Sequence, residues 1–301
     1  MTTSTFTSVI SHASTTTFRA WGLELSNALT AIGFIKSADT GQINWATVTR
    51  PAVNVSGGYE IRYLNDSLHG TAPIYMKIEY GTNTTGAAYP GMWVTIGTGS
   101  NLSGTITGTI IAREEITQGV YPLDSTVATK TSYACMVTGC VWVAHKCKNR
   151  NTYHPVFSWL LCRTWNSSGT ATADGMVFYR MSPNGATYNT YATVYMFATG
   201  YTDSTDPAGT GIYGGQCTFM PYGMLNKATV VGGVPGDYQV ARHYAPTPAI
   251  APLVPILDCS IADGVTQGTT FSCTPVGATS RTFIAVEYMF GVYAQQGLIW
   301  E

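Results

Sequence analysis

The chain has 301 residues, only 10% of them charged, and its 15 Lys and Arg nearly balance 16 Asp and Glu for a net charge of −1. An average soluble domain is about one quarter charged, and a net charge this small makes no electrostatic case for nucleic acid or an anionic membrane as the main partner. A surface so short of charge points to burial against other subunits, since interfaces favour Tyr and Trp over Lys and Glu.

Residues 1–17 are rich in Ser and Thr and read as an extended arm. Residues 1–11 have neither the basic head nor the apolar run of a secretory signal, and no run reaches the roughly 18 apolar residues of a membrane span. Phe18, Trp21, Leu25, Leu29 and Ile32 then recur at three- and four-residue spacing, which predicts one face of an amphipathic helix. Thr15, Thr16 or Thr17 is its expected cap and Gly33 its expected end. Phe18, Trp21, Leu25 and Leu29 form the face that packs on the body or on a sister helix.

From residue 34 the pattern turns to short strands between glycines. Residues 43–49 and 59–64 alternate, residues 65–70 suit one capped turn, and residues 74–80 and 92–96 are β-branched and aromatic. In the run 74–80, Lys77 and Glu79 share one parity and Met76, Ile78 and Tyr80 the other, so charge faces water and apolar groups face a core. The polar stretch 81–90 is long for a hairpin loop and is a candidate subunit contact. Further strands are expected at 101–111, 134–146, 156–164, 176–181 and 190–198, several of them apolar throughout, as in strands buried on both faces. Pro246, Pro248, Pro252 and Pro255 predict a stiff, ladder-poor segment, and strands resume at 256–261, 269–273 and 283–293.

These elements predict a mainly β fold, an antiparallel β-sandwich or jelly-roll-like body with one N-terminal amphipathic helix. The expected organisation is an arm and helix over 1–34, a β-rich body over 35–245, and a proline-stiffened linker with a C-terminal β segment over 246–301. That last segment is separate from the body or continuous with it.

Residues 33–54, GFIKSADTGQINWATVTRPAVN, are followed by GYEIRYLNDSLHGTAPIYMKIEYG and PGMWVTIGTG. This string resembles the opening region of a family of virion structural proteins of tailed bacteriophages. In that family an aromatic-bearing helix leads to a DTGQI segment, a GYE-strand, an acidic turn, a TAP-strand ending in KIEYG, and a P-x-x-W-x-x-x-G segment. The resemblance covers about the first third of the chain. It implies a β-rich tail, collar, baseplate or fibre component, made in the host bacterial cytoplasm and carried in the virion, and it brings no active-site motif.

Asp66 and His69, three apart, are a candidate carboxylate–imidazole pair, although a cap and a surface histidine explain them as well. Glu114 and Glu115 fall on opposite faces of a strand, not as the converging carboxylates of a glycosidase. Cys135, Cys140, His145 and Cys147 have irregular spacing for zinc. Read as one strand, 134–146 places Cys140 on the face opposite Cys135. The odd count of seven cysteines suits free, buried thiols.

Lys146, Lys148 and Arg150 form a basic contact patch suited to an acidic neighbouring subunit. Tyr179, Tyr188, Tyr191 and Tyr195, with Asn184, offer aromatic faces and an amide for glycan or subunit contact. The expected function is therefore a non-enzymatic structural component acting by homo-oligomeric assembly with other virion proteins. The alternative is a receptor-binding, lectin-like module for host surface glycan, and a glycan-degrading enzyme is the weaker third reading. No cofactor, metal, nucleic acid or membrane span is expected.

Overall fold

The structure is a computed structural model that describes residues 2–9, 14–82, 90–116, 129–146, 156–165, 171–183, 190–198, 211–213, 220–225, 238–239, 253–259, 270–273, 281–287 and 295–300. The first strand, β1 (Thr2–Val9), leads to the helix α1 (Thr15–Ala31). Ser14 is its cap, one residue before the expected threonines. Its hydroxyl accepts from the Thr17 backbone N–H at 3.2 Å, and the Thr17 hydroxyl accepts from the Ser14 N–H at 3.1 Å. Thr17 is thus the reciprocal partner in a capping box and not the cap. Gly33, at φ +86°, lets the chain leave the helix as expected.

Five strands follow in one antiparallel sheet in chain order: β2 (Ile35–Lys36), β3 (Ser56–Tyr63), β4 (Tyr75–Thr82), β5 (Pro90–Ser100) and β6 (Ile106–Glu115). On β4, Met76, Ile78 and Tyr80 are fully buried while Lys77 and Glu79 are partly exposed, as the alternation predicts. Residues 43–49 do not form the expected strand. Ile43 makes a single ladder-like bond to Tyr59, and the Asn44 side chain then accepts from the Ala46 N–H at 3.0 Å. That local bond turns the chain. The turn drives the Trp45 ring against α1 at Gly22, where a Cβ would overlap the ring.

The larger sheet comprises β1 with β7 (Thr129–Val137), β8 (Cys140–Lys146), β9 (Val156–Trp165), β10 (Ala171–Pro183), β11 (Thr190–Ala198), β12 (Gly211–Tyr213), β13 (Met220–Leu225), β14 (Tyr238–Gln239), β15 (Leu253–Cys259), β16 (Thr270–Cys273), β17 (Arg281–Glu287) and β18 (Gln295–Ile299). Its main path runs β1-β7-β8-β9-β15-β18-β17-β16. Among the described residues every pairing in this sheet is antiparallel except β13 with β15.

The expected single strand over 134–146 is instead a hairpin. Thr138 and Gly139 make the turn, with Gly139 at φ +72°, a conformation that glycine adopts at little strain. β1, part of the arm expected to be extended, pairs along β7 of its own chain, from Thr2 opposite Met136 to Val9 opposite Thr129. The C-terminal strands join the same sheet, with Leu253 of β15 opposite Trp165 of β9. Pro255 sits at a break in the β13–β15 register, between the Val254 and Leu257 pairings, where no ladder donor is required.

The helix and both sheets share one core. Phe18, Trp21, Leu25 and Leu29 of α1 meet Met76, Ile78 and Tyr80 of the smaller sheet and Val141, Val143, Trp159 and Leu161 of the larger one. The result is the mainly β, sandwich-like fold anticipated, with one N-terminal helix among the described residues. The opposite face of the larger sheet is also buried at Cys135, Cys140, Trp142, Leu160 and Cys162. Trp300 lies over it, 5.8 Å from Trp142 and 6.1 Å from Tyr133 between ring centroids. β7, β8 and β9 are therefore covered on both faces, which is why their sequences are apolar almost throughout.

Candidate functional site

The DTGQI residues form a corner that fastens the loop after β2 onto the smaller sheet. One Asp39 oxygen accepts from the Ser37 and Ser100 hydroxyls at 2.6 and 2.7 Å, and the other from the Gly104 N–H at 3.0 Å. Burial pushes the Asp39 carboxyl up, but these hydrogen bonds outweigh it and hold the pKa below the ordinary value. Gln42 accepts from the Ile61 N–H and donates to the Ser37 and Asp39 carbonyls, all at 2.9 Å. The Tyr59 hydroxyl donates to the Thr40 carbonyl at 2.7 Å. Lys77 lies 4.3 Å from the Tyr59 ring centroid and donates to the Gly104 carbonyl.

A second polar group lies between α1 and β3, in the middle of the core. Glu60 Oε1 accepts from Ser26 at 2.6 Å, Lys36 at 3.1 Å and Trp45 at 3.4 Å. Its Oε2 accepts from Arg62 at 2.8 and 3.0 Å and from the Tyr80 hydroxyl at 3.2 Å. Arg62 also donates to the Phe34 and Ser26 carbonyls and to the Thr30 and Ser26 hydroxyls. Both side chains of the pair are fully buried. Burial pushes Glu60 up, yet the Arg62 charge, the Ser26 hydroxyl and Lys36 leave its carboxyl below the ordinary value. The carboxylate is thus occupied by donors on both oxygens and serves to hold helix to sheet.

The seam between the sheets carries a cleft of about 320 Å³. It is lined by Ile32 and Gly33 after the helix, Asn65, Asp66 and Ser67 after β3, and Met136, Val137 and Thr138 at the β7–β8 turn. Asp66 does not meet His69 as an acid–base pair. Its carboxylate accepts from the Leu68 N–H, as the capping reading has it, and is gripped from across the seam by Arg163 at 2.7 and 3.0 Å. The Asp66 and Arg163 side chains are 2% and 1% exposed. His69 stacks on Tyr63 with ring centroids 4.4 Å apart, and its Nδ1 is buried without a hydrogen-bond partner. Nothing in the spacing of Asp66 and Arg163, 97 residues apart, announces their pairing.

Glu79 is held by Arg113 at 2.6 Å, and the Arg113 guanidinium lies over the Trp93 ring. Glu114 and Glu115 stand opposite Val94 and Trp93 on β5. Among the described residues no group of three or more His, Cys, Asp or Glu is placed to hold a metal ion. Cys135, Cys140 and Cys162 are buried and in no disulfide. The β7–β8 hairpin corrects the expected parity: Cys135 stands opposite Trp142, which shares its face with Cys140, so Cys135 and Cys140 lie on one face. The glycine turn resets the alternation, a signal available in the Thr138-Gly139 pair.

Of the expected aromatic contact residues, Tyr179 lies on β10 and Tyr191 and Tyr195 on β11. Tyr179 is opposite Val194 and Tyr195 opposite Phe178, positions of opposite parity. Tyr188 and Asn184 lie outside the described residues, as do Lys148 and Arg150, while Lys146 ends β8 opposite Val156. Phe18, Trp21, Leu25 and Leu29 all lie in the shared core. No helix among the described residues is long and apolar enough to cross a membrane. Comparison with protein-family models, curated proteins and solved structures finds no match to this chain.

Proposed function

We propose that the chain is a structural component of a tailed-phage virion, in the tail, collar, baseplate or fibre region, acting by homo-oligomeric assembly. The observation that carries this reading is how the residues of the resemblance are used. Asp39, Gln42, Tyr59, Glu60, Lys77 and Tyr80 each bond to the fold's own backbone or side chains. A string whose polar members brace a sheet corner and the joint between helix and sheet specifies an architecture, which is what a family of particle components would hold in common. The scarcity of charge supports the same reading, because a neutral surface suits burial in an assembly. On this proposal the chain is made in the host bacterial cytoplasm and carried in the virion, with copies of itself and other virion proteins as partners.

Size-exclusion chromatography with light scattering on the purified chain is the test. The expected result is a closed oligomer whose mass is a multiple of 32.2 kDa. A monomer stable at high concentration, together with absence of the chain from purified particles, overturns the proposal.

A further inference from the structure

We propose that Cys140 and Cys162 are an oxidation site at which a disulfide forms across β8 and β9. The two residues are directly opposite in the antiparallel ladder. The adjacent bond from the Arg163 N–H to the Gly139 carbonyl, 2.6 Å long, makes Gly139–Arg163 a bonded pair and Cys140–Cys162 a non-bonded one. At such positions the Cα atoms stand about 4.5 Å apart, inside the range of about 4.4–6.8 Å that a disulfide spans. Both thiols are free and fully buried. Cys135 is on the same face but engaged elsewhere: its thiol donates to the Trp300 carbonyl at 3.4 Å and its register partner is Trp142.

A hydroperoxide is the oxidant that suits a buried pair, because hydrogen peroxide is barely larger than water. One sulfur attacks a peroxide oxygen, the O–O bond breaks, and a sulfenic acid and one water result. The second sulfur then attacks the sulfenic sulfur, the S–O bond breaks, and a second water leaves carrying the remaining thiol proton. Two thiols lose two electrons and two protons, and one peroxide becomes two waters. Burial pushes the Cys140 thiol well above its ordinary range, and the thiolate is the attacking form. The reaction is therefore slow at neutral pH and quickens as pH rises.

The test treats the full chain with hydrogen peroxide, then unfolds it, alkylates the remaining thiols and maps peptides by mass. The expected result is a peptide pair joined through Cys140 and Cys162, lighter by two hydrogen atoms and separated by dithiothreitol. In Cys162→Ser the joined pair disappears and Cys140 is recovered as an alkylated or oxygenated monothiol. Recovery of both Cys140 and Cys162 as alkylated thiols from the peroxide-treated wild-type chain overturns the proposal. So does a cross-link from Cys140 to any other cysteine in that sample. Both readouts use the wild-type chain, so they stand even if the serine variant does not fold.

Discussion

Replacing Glu60 by Gln keeps the shape of the side chain and removes its charge. The amide retains one acceptor oxygen and turns an NH₂ toward donors that now have nothing to donate to. Depending on which oxygen is replaced, these are either Arg62 and Tyr80 or Ser26, Lys36 and Trp45. Arg62, with no exposed side-chain surface, is left as an uncompensated buried cation. Removing one partner of a buried pair costs about 3–5 kcal/mol, against a total stability of about 5–15 kcal/mol for a typical domain. Lys36 provides the internal comparison. Its side chain is 36% exposed, so Lys36→Ala should cost less than about 1 kcal/mol. Urea unfolding followed by tryptophan fluorescence at neutral pH measures both, with Trp45 reporting beside the carboxylate. An unchanged m-value with a much lower midpoint for Glu60→Gln is the expected outcome. A loss no larger than that of Lys36→Ala would refute the view that this carboxylate fastens the helix to the sheet.

Three further outcomes follow from the same geometry. Gly22→Ala, ordinarily worth about 1 kcal/mol of added helix stability, should instead destabilise by about 1–3 kcal/mol because the Trp45 ring occupies the space of the new methyl group; a rise in the thermal midpoint would contradict the packing. Asp66→Asn should cost about 3–5 kcal/mol by stranding the buried Arg163 guanidinium, and Asp66→Asn with Arg163→Met should recover much of it in a double-mutant cycle; additive losses would show that the seam does not depend on the pair. The folded-state pKa values of Glu60 and Asp39 lie below their ordinary values, so the stability they add is complete above about pH 4–5 and is lost as pH falls through the folded values. Each carboxyl steepens acid unfolding by at most about 1.4 kcal/mol per pH unit, and Glu60→Gln should flatten the profile measured by denaturation midpoints between pH 5 and 2.

Local periodicity made much of the fold legible. The stripe from Phe18 to Leu29 marks the helix, and the alternation of Met76, Ile78 and Tyr80 marks the core face of β4, because both depend on neighbours a few residues away. The turn at Asn44 is harder, since Ile43 and Trp45 alternate like a strand until a side-chain hydrogen bond redirects the backbone. The cysteine parity fails for a related reason: counting by twos through Thr138 and Gly139 assumes a strand where the chain reverses. The braces of the candidate site are the least legible. Asp66 and Arg163 meet only after the sheets stack, and Ser26 and Glu60 only after the helix docks on its sheet, and no spacing in the chain encodes that.

The placement of Trp300 over Trp142 and Cys135 also sets an order of events during synthesis. Trp300 leaves the ribosome 165 residues after Cys135. At about 5–20 residues per second, the cysteine-bearing face of the nascent sheet waits on the order of ten to thirty seconds for its cover. During that interval the apolar face of Cys135, Cys140, Trp142, Leu160 and Cys162 is open to solvent, and it is a natural place for a chaperone, or a second nascent chain on the same message, to engage.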